Sequence, residues 1–112
     1  EITNGSEVEI MDIKYKNTGG NMTVYLNGEL DEYSAGQSKN QLDRLIDDNL
    51  NIKRFVFNLS GLSFMDSTGI GMLIGRYKKL KRFGIPVFLS GASVNVEKII
   101  EISGLYGIMP KY

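Results

Sequence analysis

Apolar and polar residues alternate along much of the first thirty positions, a pattern typical of strands with one buried face. Residues 8–15 predict a first strand, with one slip in the alternation that indicates a possible bulge, and residues 22–26 predict a second. The turn-forming residues 17–21 lie between them, so we expect a β-hairpin. Residues 1–6 are polar and are expected to be loose, and residues 28–31 are expected to form a loop after the hairpin.

Three later segments have apolar residues at helical spacing, and they predict helices over about 34–50, 67–83 and 93–104. Ser34 and Ser93 are the expected N-caps, and glycines stand at the ends of the second and third helices. The residues predicted to face the core are Leu42, Leu45, Ile46 and Leu50 in the first helix, Ile70, Leu73, Ile74, Tyr77 and Leu80 in the second, and Val96, Ile99 and Ile100 in the third.

Two short apolar runs, residues 53–59 and 85–89, are typical of strands covered on both faces. Residues 106–109 are expected to form a last edge strand. Strands that alternate with helices after a hairpin predict an α/β fold, with a mixed four- to five-stranded sheet and helices packed mainly on one side. A length of 112 residues fits one domain over residues 1–112.

Composition narrows the function more than the fold. The 13 basic and 13 acidic residues cancel, which gives no electrostatic footprint for nucleic acid or an anionic membrane. The chain has no cysteine and no histidine, so it lacks thiolate or imidazole metal ligands and the usual general base at neutral pH. No apolar run has the length of a membrane span. We therefore expect a cytoplasmic binding protein that is not an enzyme and has no cofactor or metal.

A glycine-rich stretch, residues 69–75, follows a strand and opens the second helix, the usual context of a phosphate cradle. Its spacing does not fit, because a dinucleotide fingerprint needs a glycine where Ile74 stands, and the chain has no P-loop motif. The glycines more plausibly permit close backbone approach to the sheet or to a partner. A small nucleotide hydrolase or transferase that uses this helix start is the enzymatic alternative.

Asp66 and Ser67 stand where a loop meets the second helix, and the simplest interpretation is that one of them is an N-cap. A nucleophilic role for Ser67 lacks a base, whereas a phosphoacceptor needs none of its own because a kinase supplies it. A phosphoserine there would bring ~1.5–2 negative charges to a helix N-terminus. The helix dipole would favour that charge by roughly 0.3–1 kcal/mol, and Asp66 would oppose it.

A helical wheel places Met72 and Phe83 opposite the core stripe of the second helix, beside Arg76 and Lys79. An apolar patch edged by cations suits a protein interface, so these positions are expected to be exposed and to bind a partner. The basic residues within 76–82 allow an alternative interpretation, in which this helix binds nucleic acid. In a chain of zero net charge, a solvated helix face with cations near the helix C-terminus is the favoured explanation.

Residues 64–71 (Phe-Met-Asp-Ser-Thr-Gly-Ile-Gly) and 73–78 (Leu-Ile-Gly-Arg-Tyr-Lys) closely resemble the signature of the bacterial anti-sigma factor antagonists of the STAS-domain family. Residues 28–31 resemble the family's first conserved loop, and residues 103–105 match as well. The resemblance extends from about residue 8 to 112, with the sporulation type most similar. The family continues into a C-terminal helix, which is expected to be absent or truncated here because the sequence stops at Tyr112.

The resemblance implies a partner-switching regulator. The unphosphorylated antagonist would bind an anti-sigma factor that is itself a GHKL-type serine kinase, which frees a sigma factor; the kinase would use ATP to phosphorylate Ser67, and a PP2C-type phosphatase would reverse this. The protein would be a monomer or weak dimer. The residues expected to form the partner surface are Gly28, Glu29, Asp31, Asp66, Ser67, Thr68, Gly69, Ile70, Gly71, Met72, Gly75 and Arg76.

Another role on the same fold stays open. Stand-alone STAS subunits of lipid-transport ATPases and STAS scaffold proteins of stress complexes share the hydrophobic framework. The transporter role would be distinguished by capture of a transporter ATPase in place of a kinase.

Overall fold

A computed structural model of the protein describes residues 11–112, so the expectations for residues 1–6 and for the start of the first strand lie outside the described residues. The elements, in chain order, are β1 (Met11–Thr18), β2 (Asn21–Leu30), α1 (Ala35–Asp47), β3 (Arg54–Asn58), β4 (Leu62–Met65), α2 (Ser67–Lys81), β5 (Val87–Ser90), α3 (Val94–Ser103) and a short 3-10 helix (Leu105–Gly107).

The five strands form one mixed sheet, as the pattern predicted. The order is β1-β2-β3-β5, and β4 pairs with the far end of β2. The β1–β2 hairpin is antiparallel, whereas β2 pairs in parallel with β3 and β4, and β3 in parallel with β5. In β3, Phe55, Val56 and Phe57 are all buried, which confirms the expectation of a strand covered on both faces.

β2 changes partner along its length, and this change makes the end of the strand available to the site. It pairs with β3 from Asn21 to Tyr25 and with β4 from Gly28 to Leu30, with a register shift after Gly28. Gly28 has a φ of 122°, a backbone conformation that favours glycine, and its N–H donates to the Gly61 carbonyl at 3.0 Å. The prediction of a loop over 28–31 is wrong for Gly28–Leu30, because the glycine serves a bulge within a strand rather than a turn.

Three helices pack against this sheet, and two of their predicted ends need correction. α1 ends at Asp47, with Leu50 beyond it and exposed, and α2 ends at Lys81 and not at residue 83. Ser34 is at the N-cap position of α1, as predicted, but its side chain makes no capping hydrogen bond. In the turn before the helix, Asp31 Oδ1 accepts the N–H groups of Tyr33 and Ser34 at 2.9 and 3.1 Å. Ser93 caps α3 as expected, by accepting the Val96 N–H at 3.3 Å.

The predicted edge strand over 106–109 is wrong. Gly104 ends α3 with a φ of 73°, and the chain continues as the 3-10 helix. Only Lys111 then joins the sheet, through a single parallel bridge to Leu89. A longer ladder would need an N–H donor at Pro110, and proline has none.

Candidate functional site

The entrance of α2 is held against the end of β2 by backbone contacts. The Asp66 N–H donates to the Leu30 carbonyl at 3.3 Å. A Cβ added to Gly69 would lie 2.5 Å from that same carbonyl oxygen, a distance that no side chain tolerates. Gly69 is therefore required for close approach of helix and strand, as the glycine-rich stretch suggested.

Asp66, not Ser67, is the N-cap of α2. The Asp66 backbone is extended, and its Oδ1 accepts the Gly69 N–H at 3.0 Å. Ser67 is the first helical residue and is exposed. Its hydroxyl makes no hydrogen bond to any described residue, and the N–H groups of Ser67 and Thr68 are also without partners within this part of the chain. The helix thus presents a free hydroxyl beside two free N–H donors, which is a suitable setting for an anionic group.

The loop between β2 and α1 is fixed next to this helix entrance. Ser34 is fully buried; its Oγ donates to the Glu29 carbonyl at 2.7 Å and accepts the Asp31 N–H at 3.0 Å. Together with the two bonds that Asp31 Oδ1 accepts from Tyr33 and Ser34, these bonds leave the loop little freedom. Tyr33 at its tip is 76% exposed.

Phe64 and Glu29 are two further exposed side chains at the same end of the sheet as Ser67. The two residues are register partners on β4 and β2, and both side chains are exposed, Phe64 by 46%. Phe64 lies within the quoted motif, but nothing in the sequence distinguishes an exposed phenylalanine from a buried one here. The strand β4 itself was not predicted, because four residues with only their ends buried give no clear alternation.

Met72 and Arg76 are buried, so the prediction of an exposed patch around them is wrong, although Phe83 is exposed as predicted. Met72 and Arg76 are each 6% exposed and lie between α2 and α1. The Arg76 Nε lies 2.8 Å from Asp43 Oδ1, and burial lowers the pKa of the guanidinium while Asp43 opposes that shift. Lys79 adds contacts of 3.7 Å to Asp43 and 2.9 Å to Asp47. The cations of this face therefore bind α1 and do not border a free surface.

A hollow of about 260 Å³ remains between the first turns of α1 and α2. Gly36 and Gly71 stand at its edge, where an added Cβ would meet no atom within 4 Å, and Lys39 lies beside them. Met72 and Arg76 line this hollow. Gly36 and Lys39 were not among the predicted site residues, because their position beside it depends on the packing of two helices distant in sequence.

The predicted partner residues fall into three groups by exposure. Glu29, Ser67, Thr68 and Gly71 are exposed; Gly28, Asp31, Asp66, Ile70 and Gly75 are partly buried; and Gly69, Met72 and Arg76 are buried. We use the term Ser67 surface for the exposed group formed by Glu29, Phe64, Ser67, Thr68 and Gly71.

No helix among residues 11–112 has both the length and the apolar character of a membrane span. Nor does this range contain a cluster of three or more side chains of the types that hold metal ions.

Comparison with known proteins agrees with this geometry. The STAS domain model matches residues 12–112. The anti-sigma F factor antagonist of Paenibacillus polymyxa is 32% identical over 102 residues, which cover 91% of this chain and 86% of the relative.

Two solved structures of SpoIIAA have the same fold. The unphosphorylated form of this anti-sigma factor antagonist is 27% identical, with a TM-score of 0.74 over 90% of this chain and 88% of the other. The phosphorylated form of the Bacillus cell fate determinant SpoIIAA is 26% identical, with a TM-score of 0.66 over 90% and 91% of the two chains. The chain therefore belongs to the STAS-domain family, among relatives that are anti-sigma factor antagonists.

Proposed function

We propose that this protein is an anti-sigma factor antagonist, which binds an anti-sigma factor through the Ser67 surface and is released when Ser67 is phosphorylated. The observation that carries the proposal is the hydroxyl of the exposed Ser67, which has no hydrogen-bond partner among residues 11–112 and stands at the first position of a helix whose cap is supplied by Asp66. A solved SpoIIAA structure in the phosphorylated form supports a phosphorylation switch in the family.

Phosphorylation at Ser67 changes charge with little change of structure. Ser67 is exposed, and the N–H of Thr68, which has no partner among residues 11–112, is available as a donor to the phosphate. The Asp66 carboxylate already accepts the Gly69 N–H, so the cap stays in place. The switch then acts at the interface, where a phosphate without a partner must lose its water.

The chain has no histidine or cysteine to activate Ser67, so a separate kinase has to supply the catalytic base. The resemblance to the anti-sigma factor antagonists implies that this kinase is the anti-sigma factor itself, of the GHKL type, with ATP as phosphate donor. A PP2C-type phosphatase would restore the active form. In this proposal the protein is a cytoplasmic regulator without catalysis of its own, monomeric or weakly dimeric.

The site assignment is tested by incubation with the cognate anti-sigma factor and ATP, followed by intact-mass and peptide mass spectrometry. We expect one phosphate, located on Ser67 and absent from Ser67→Ala. Ser63→Ala is the matched control, since Ser63 is an exposed serine four residues away whose Oγ donates to the Gly28 carbonyl at 3.2 Å. A phosphate that persists in Ser67→Ala would exclude Ser67 as the acceptor.

A further inference from the structure

The hollow between the first turns of α1 and α2 is continuous with the Ser67 surface, because Thr68 and Gly71 belong to both. Its volume of about 260 Å³ is below the range of about 300–1,000 Å³ that small-molecule pockets occupy. The size therefore suits one side chain of a protein that already rests on the Ser67 surface.

Two glycines keep this hollow open. Gly36 of α1 and Gly71 of α2 both line it, and a Cβ added to either would meet no atom within 4 Å. Neither glycine has a positive φ, so the backbone does not require glycine at these positions. Glycine also destabilises a helix relative to alanine. What the two glycines contribute is the space between the helices.

The charges beside the hollow are unbalanced. Three cations contact Asp43: the Nε of Arg76 at 2.8 Å, and the ammonium groups of Lys39 at 3.5 Å and Lys79 at 3.7 Å. Lys79 alone has a second carboxylate, Asp47, at 2.9 Å. Three cations thus share two carboxylates, which leaves one positive charge in excess. One further carboxylate would balance the cluster.

Arg76 is the cation of this cluster with the most unused hydrogen-bonding capacity. It is 6% exposed and lines the hollow. Its Nε and the Asp43 Oδ1 are in contact but do not form a hydrogen bond. Within residues 11–112 its one hydrogen bond is a long one, from a terminal nitrogen to the Met72 carbonyl at 3.4 Å. A guanidinium has five N–H donors in a planar fork that matches a carboxylate, so most of this fork is available to a ligand.

These observations define the group that the hollow accepts. We propose that the hollow receives the carboxylate side chain of a glutamate or aspartate of the anti-sigma factor, which pairs with Arg76 and Lys39. The inference rests on the proposed function and adds to it the chemistry of one partner residue.

The position of the hollow relates this contact to phosphorylation. Ser67 and Gly71 are one helical turn apart, about 6 Å along the axis of α2. This distance is shorter than the Debye length of about 8 Å at physiological ionic strength. A phosphate on Ser67 would therefore repel a carboxylate that enters the hollow, which gives a physical reason for release of the partner.

The test is calorimetric titration of the unphosphorylated full chain with its cognate anti-sigma factor. Lys39→Gln should weaken binding roughly two- to fivefold, as expected for an exposed charge pair, and Lys39→Arg should retain the affinity. Lys78→Gln, which removes an exposed cation of α2 that does not line the hollow, should have no effect. Gly36→Leu fills the hollow and should weaken binding about tenfold or more, whereas Gln37→Leu, at the next exposed position of α1, should not. Neither leucine variant should lower the Tm.

A charge exchange identifies the partner's residue. Each exposed aspartate and glutamate of the anti-sigma factor is changed to lysine in turn, and each variant is titrated with the wild-type chain and with Lys39→Glu. We expect one variant that binds the wild-type chain about tenfold more weakly or worse and regains affinity for Lys39→Glu.

Three results would overturn the inference: wild-type affinity of Gly36→Leu, equal losses for Lys39→Gln and Lys78→Gln, or no lysine variant that regains affinity for Lys39→Glu. In each of these cases the wild-type chain still binds the anti-sigma factor, so the proposed function stands. A wild-type chain that fails to bind the anti-sigma factor would overturn the proposed function, and this inference with it.

Discussion

The Asp66 carboxylate accepts the Gly69 N–H at 3.0 Å, and this one bond assigns different roles to two adjacent residues. Asp66 stabilises the start of α2, which leaves the Ser67 hydroxyl without a structural task. Ser67 can therefore be modified without loss of the cap. The proposed switch depends on this separation of roles.

The first prediction follows from this division of roles between Asp66 and Ser67. Asp66→Ala should lower the free energy of unfolding by about 1 kcal/mol, the usual cost of a lost N-cap, whereas Asp66→Asn should retain most of it. Ser67→Ala should change stability by less than about 0.5 kcal/mol, as for other exposed positions. Urea denaturation of the three variants measures this. Equal losses for Asp66→Ala and Ser67→Ala would mean that Ser67 also has a structural task.

The second prediction compares two glycines of the same helix. Gly69→Ala forces a methyl group against the Leu30 carbonyl oxygen, 2.5 Å away, and should destabilise the protein by about 1–3 kcal/mol. Gly71→Ala meets no atom within 4 Å and should stabilise the helix by up to about 1 kcal/mol. Thermal denaturation should show opposite shifts of Tm. If both variants are stabilised, the contact between α2 and β2 is looser than described.

The sequence predicted the sheet and helices well, because burial of one face leaves a period of two or of 3.6 residues. In α2 the predicted core stripe is confirmed, since Leu73 and Leu80 are fully buried and Ile70, Ile74 and Tyr77 pack against the core. The pattern did not predict that Met72 and Arg76 are buried as well. Their burial depends on the packing of α1, which supplies a carboxylate for Arg76, and no pattern within α2 contains that information.

The site was predictable where it depends on local sequence. The helix start at Ser67 and the close approach at Gly69 follow from a motif of adjacent residues. The bulge at Gly28 was predicted as a loop, because a glycine with positive φ is common in bulges and in turns alike. Only the pairing of β2 with β4 distinguishes the two structures. The exposure of Phe64 likewise depends on that pairing.

The third prediction concerns the ion pair between Arg76 and Asp43. A double-mutant cycle with Arg76→Met and Asp43→Asn should give a coupling energy of about 1 kcal/mol or more, because the two groups are in contact and Arg76 is largely buried. Lys39→Gln is the control, since Lys39 lies 3.5 Å from Asp43 but is 54% exposed, and its coupling to Asp43 should be smaller. Equal coupling energies for the two pairs would contradict the burial argument.

The fourth prediction is a pH dependence at the C-terminal end. Tyr106 donates to Glu97 Oε1 at 2.6 Å, and Lys111 lies 2.9 Å from Oε2. The Tyr106 hydrogen bond, followed by that from Lys111, lowers the pKa of Glu97 below its ordinary 4.5. A lowered pKa in the folded state means that this contribution to stability is complete above pH 4.5 and is lost as the pH falls through the lowered pKa.

At high pH the same hydrogen bond gives the opposite pH dependence of stability. Desolvation by burial, and then the bond to Glu97, raise the pKa of Tyr106 from 10.0 to about 12. Its contribution is therefore complete below pH 10 and is lost as the pH rises toward about 12. Tyr106→Phe should flatten the stability profile in both ranges, whereas Tyr25→Phe, at a tyrosine with no bond to Glu97, should not. A profile unchanged by Tyr106→Phe would contradict this account.

The fifth prediction tests the central claim most directly: the affinity of the purified protein for its anti-sigma factor, measured by calorimetry with Ser67 unmodified and with Ser67 phosphorylated. We expect the phosphorylated form to bind about a hundredfold more weakly, a difference of about 2.7 kcal/mol, with Ser67→Ala retaining the unmodified affinity and Ser67→Asp losing part of it. Circular dichroism should show the same fold for all four proteins. Equal affinity of the phosphorylated and unmodified forms would contradict the proposed switch.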